Sequence, residues 1–116
     1  MSLTPTSALR TIHGITEVQR VRIEDFLQGA VYCWCKNRKN EWFSMRDLMG
    51  GDNFHWEGTP LIALYEKQVG AGVPDPIERA GQESGWLLKH TVAKDRRAFE
   101  TRKEERIRQY RWIPDA

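Results

Sequence analysis

The sequence predicts an all-α protein, a small helical bundle with a long first helix, a long basic C-terminal helix and room for a minor two-strand element. Three observations carry that expectation. Apolar residues recur at helical spacing over two long stretches. Cap and proline signals punctuate the chain between them. The length, 116 residues of which 40% are hydrophobic and 29% charged, suits one ordinary globular core and not two.

Residues 1–15 read as a flexible lead-in, and residues 16–113 as a single helical domain. The first helix opens at Thr16, where Thr16-Glu17-Val18-Gln19 has the capping-box pattern. Ile23, Phe26, Leu27, Ala30, Val31 and Trp34 then fall on one stripe, which is the mark of a helix facing a core. Asn37-Arg38-Lys39-Asn40 ends it. Glu41-Trp42-Phe43 reads as a short extended link. Ser44 follows as the N-cap of a brief helix, stopped by Gly50-Gly51.

Residues 52–58 form a loop carrying Phe54 and Trp56. Thr59-Pro60 opens the next helix, with Leu61, Ile62, Leu64, Tyr65 and Val69 making it largely apolar. Asp75-Pro76 restarts a helix by the same logic, and Asp75 to Glu78 has capping-box spacing. Gly81 and Gly85 read as interruptions. The last helix is expected over 84–112, closed by Pro114, with Leu88, Val92, Phe99 and Tyr110 on its stripe. Such a helix is ~42 Å long, against a diameter of roughly 35 Å for a compact chain of this size. It would overhang the body, and Phe99, Ile107, Tyr110 and Trp112 on the overhang would need a cover. A homodimer supplies one.

Charge is unevenly placed. The chain carries a formal +2, but residues 94–111 hold eight Lys and Arg against four acids, a local +4 on a body of −2. Arg96, Arg97, Arg102, Lys103 and Arg106 are the candidate phosphate contacts, and a neighbouring Tyr110 or Trp112 could stack on bases. The plainer reading of the same stretch is a solvated helix face with interleaved acids.

Residues 16–69 resemble the entry to a winged-helix DNA-binding domain. The residues that carry the likeness are the long first helix, the strand-like Glu41-Trp42-Phe43, and Ser44-Met45-Arg46-Asp47-Leu48. The resemblance implies that residues 61–69 form the recognition helix. It departs from the pattern in the ten residues 50–59, where a helix-turn-helix uses a turn of about 3–4. No hairpin wing is visible after Gly70.

Asp52, His55 and Glu57 are the one cluster with metal-ligand chemistry, set in a loop after two glycines. The plainer reading is a surface loop pinned by Phe54 and Trp56. No catalytic nucleophile motif or dinucleotide fingerprint is present, and no cofactor is implied. Cys33 and Cys35 lie about 200° apart around a helix, poorly placed to pair, which fits a reducing cytoplasmic setting. Residues 1–7 lack a secretion pattern, and no apolar run is long enough to span a membrane. The sequence therefore predicts a non-enzymatic binding module acting through protein contacts and self-association. The alternative is a small DNA- or RNA-binding accessory protein. A metal-dependent enzyme is the third reading.

Overall fold

The computed structural model describes residues 11–51 and 56–114. In order they form α1 (Glu17–Asn37), α2 (Met45–Leu48), α3 (Ile62–Gly70), α4 (Pro76–Lys94), β1 (Phe99–Glu104) and β2 (Ile107–Trp112). The protein is mostly helical, with one small antiparallel sheet. No helix among the described residues is long and apolar enough to cross a membrane.

Local chemistry sets the helix starts. The Thr16 hydroxyl accepts from the Gln19 N–H at 3.1 Å, and the Gln19 side chain accepts from the Thr16 N–H at 2.9 Å. Ser44 and Asp47 form the same reciprocal box on α2. Asp75 caps α4, and Pro76 sits where no N–H is needed. Ile23, Leu27, Val31 and Cys35 are the buried edge of α1. They face Leu87, Leu88 and Val92 of α4 and Leu61 and Leu64 around α3 in one continuous core. That core also takes in Ile12 and, part-buried, Ile15, so packing begins ahead of Thr16.

A polar lock fixes α3 against α4. Glu83, only 4% exposed, accepts from Lys67 Nζ at 2.7 Å and from Gln68 Nε2 at 2.6 Å. Lys67 also donates to the His13 carbonyl, which ties the segment before α1 to the same point. A buried carboxylate is tolerable only with such partners.

The structure differs from the sequence expectation in its last third. α4 runs unbroken through Gly81 and Gly85, because Ala80, Glu83, Ser84, Leu87 and Leu88 on its inner face are buried and hold it helical. It then ends at Lys94, and the expected helix over 95–112 is a hairpin. The stop is Asp95, which takes an extended backbone. Its carboxylate accepts from the Arg97 N–H at 2.8 Å and from Gln28 Nε2 of α1 at 2.8 Å. That local bond offers the backbone an alternative to the helix ladder.

β1 and β2 pair antiparallel from Phe99↔Trp112 to Glu104↔Ile107. Phe43 joins them as a single-residue third strand, exchanging both backbone hydrogen bonds with Tyr110 at 2.8 Å. Its ring meets Trp34, Phe99 and Tyr110 at centroid distances of 5.8, 6.1 and 5.8 Å. The hairpin root is thereby built into the core that the helices share.

Candidate nucleic-acid interface

The hairpin divides along its length. Phe99 and Tyr110 are fully buried at the root, whereas Arg102, Lys103 and Glu104 at the far end of β1 are exposed. It is an arm with an anchored base. Its tip is a two-residue turn in which Glu105 and Arg106 both take positive φ, 48° and 70°. That is the sign pattern of a type I′ turn, whose twist suits a two-residue hairpin and which favours Asn and Gly. Neither residue here is of that kind, so the tip holds backbone strain.

The pleat sorts the side chains. Phe99, Thr101 and Lys103 share one face with their partners Trp112, Tyr110 and Arg108. Lys103 therefore stands directly across from Arg108 on the exposed half of that face. Like charges at opposed strand positions repel. Arg108 donates to the Thr101 hydroxyl at 3.3 Å, while Lys103 and Arg106 have no ion pair among the described residues.

The other face is braced. Arg111 pairs with Glu100, and Arg102 Nε donates to Gln109 Oε1. Both guanidiniums lie over the ring of Trp42, at 4.1 Å for Arg102 and 4.9 Å for Arg111. This clamp stiffens the arm against the segment that follows α1.

At the arm's root lies an open groove of ≈ 630 Å³, lined by Lys94, Arg96 and Arg97 with Gln28 and Trp112. Arg97 is spent on the fold. It grips both oxygens of Asp95 at 3.0 and 2.9 Å and lies 5.3 Å from the Tyr32 ring and 5.8 Å from that of Trp112. Lys94 reaches Glu24 at 3.7 Å, and Arg96 is exposed.

α3 and α4 are joined by residues 71–75. Beyond this turn, the outer face of α4 presents the exposed Glu78, Arg79 and Gln82, then the half-buried Trp86 and Lys89. Arg79 donates to Gln82 and lies over Trp86 at 5.4 Å.

Of the predicted cationic set, Arg102, Lys103 and Arg106 fall on the arm and Arg96 and Arg97 at its root. Of the predicted interface set, Phe99 and Tyr110 lie in the core, and Ile107 and Trp112 are half-buried. Asp52 and His55 lie outside the described residues, and Glu57 is exposed. Sequence reasoning missed Trp42, Arg108, Arg111 and the α4 outer face. The period-two pairs Phe99/Thr101 and Tyr110/Trp112 were the available signal. Comparison with protein families, curated proteins and solved structures finds no match to this chain.

Proposed function

We propose that this protein binds nucleic acid, gripping the phosphate backbone with the 99–112 hairpin and setting the outer face of α4 against a duplex. One observation carries this reading: the opposed Lys103 and Arg108 on the exposed half of the arm. That pair weakens the free hairpin, and a polyanion would turn the repulsion into binding. Arg106 at the strained tip and Arg96 at the root extend the cationic track.

The order of elements supports the same reading. A helix, a one-residue strand, three further helices and a hairpin whose second strand returns to the first follow the winged-helix plan. The helix in the recognition position is then α4, which directly precedes the hairpin, and not α3 as the sequence resemblance had it. The five-residue turn between them is close to the 3–4 usual for a helix-turn-helix. Arg79, Gln82 and Lys89 are donors of the kind that meet base edges in a major groove. The protein-contact reading loses its motive, because Phe99 and Tyr110 are covered by the chain's own core. Two free cysteines, one exposed and one buried, suit a reducing cytoplasmic setting for this activity.

Fluorescence anisotropy with a random duplex and a single strand, titrated between about 50 and 300 mM salt, tests the proposal. Log affinity should fall linearly with log salt. Lys103→Glu with Arg108→Glu should weaken binding at least ~10-fold and reduce the salt slope by about 2. Affinity indifferent to both salt and the double reversal would end this reading.

A further inference from the structure

The face of α1 turned away from the core has features that the fold itself does not use, Tyr32 apart, whose ring lies 5.3 Å from Arg97. Val18, Val21 and Tyr32 are 70, 43 and 50% exposed, and they are three of the five large hydrophobics exposed among the described residues. With Arg22, Asp25 and Gly29 they share the side of the helix opposite the buried Ile23, Leu27 and Val31. Gly29 is in mid-helix, where glycine is a poor choice. A Cβ there would meet nothing within 4 Å, so no neighbour among the described residues requires it. Arg22 and Asp25 are exposed and form no ion pair among the described residues, although they are one turn apart.

We infer that this stripe pairs with the same stripe of a second copy of the chain, helix against antiparallel helix. The argument is complementarity under a two-fold axis. With the axis passing between residues 22 and 25, Arg22 faces the partner's Asp25 and Asp25 faces the partner's Arg22. The same register lays Val18 over the partner's Gly29, twice. A residue without a side chain at that point lets the helix backbones approach closely. Val21 lies beside the axis and is covered from both sides. Opposite charges three residues apart make the stripe its own complement, which a partner of different sequence would have to match by design.

A single helix crossing buries less than a standard interface of about 1,600 Å², so a dissociation constant of roughly 10–100 µM is expected. Sedimentation velocity of the full chain from ~5 to ~200 µM should show a reversible monomer–dimer equilibrium. Arg22→Asp alone and Asp25→Arg alone should each weaken it at least ~10-fold, because each sets like charges against one another. The combined swap should return it to within about 3-fold of the parent, a non-additivity expected of residues in contact. Circular dichroism melts, unchanged among these surface variants, would show that all of them fold. A monomer at the highest concentration, single reversals without effect, or a swap as weak as either single variant would overturn the inference.

Discussion

The hydroxyl of Tyr110 is buried and has no hydrogen-bond partner among the described residues. Leaving a buried polar group unpaired costs about 1–3 kcal/mol. Tyr110→Phe keeps the ring that packs on Phe43 and removes the stranded oxygen, so urea unfolding should find it as stable as the parent or up to ~2 kcal/mol more stable. Burial also pushes the Tyr110 phenol above its ordinary range, with Arg108 opposing, and lifts the Cys35 thiol from 9.0 to about 11. The unfolded chain releases these protons at lower pH than the folded one. Above pH 9 the unfolded state therefore binds fewer protons, and stability falls as pH rises, the thiol acting first. Denaturant titrations from pH 8 to 11 should show the loss at on the order of 1 kcal/mol per pH unit, and Cys35→Ala should flatten its first part. Gly29 is the converse case of a residue kept against local preference. Gly29→Ala should raise stability by roughly 1 kcal/mol through helix propensity, while loosening any α1 pairing that needs the bare backbone.

Elements show where the sequence was legible and where it was not. The box at Thr16, the cap at Ser44 and the Asp75-Pro76 start could be read directly, because a cap is a contact between residues three apart. The end of α4 could not. Asp95 stops the helix with its own turn to Arg97, and its carboxylate is also held by Gln28, which belongs to another element far away in sequence. The residues beyond it give a weak helical stripe, and Asp95, Lys103 and Arg106 within that stripe were the warning. Only the hairpin register, set by the two-residue turn, puts Phe99 and Tyr110 on one face. Gly81 and Gly85 misled in the other direction, since tertiary packing overrides their low propensity. Asp95→Ala should cost about 3 kcal/mol by thermal unfolding, as it strands Arg97 and frees the corner between α4 and β1. Glu105→Asn with Arg106→Gly relieves the positive-φ tip and should stabilise by ~1–2 kcal/mol. On the proposed function it should also weaken nucleic-acid binding, so stability and affinity would move in opposite directions.

At the scale of the molecule, the uneven charge seen in the sequence becomes a place. The basic residues 94–111 form an arm and its root, and the slightly acidic remainder is the helical body. The candidate site was legible as composition, in Arg96, Arg102, Lys103 and Arg106. It was not legible as geometry, because the pairing of Lys103 with Arg108 exists only once the hairpin register is known. The body and the arm are sealed together at Phe43, which is 0% exposed and draws two of its three ring partners from residues 99–112. Synthesis proceeds from the other end. On the ribosome, the helices are complete while Phe43 still waits for Phe99 and Tyr110, and the nascent chain displays an aromatic surface it cannot yet hide. A message cut short before the codon for Phe99 would not yield a smaller stable version of this protein, but a helical fragment prone to clump or be degraded.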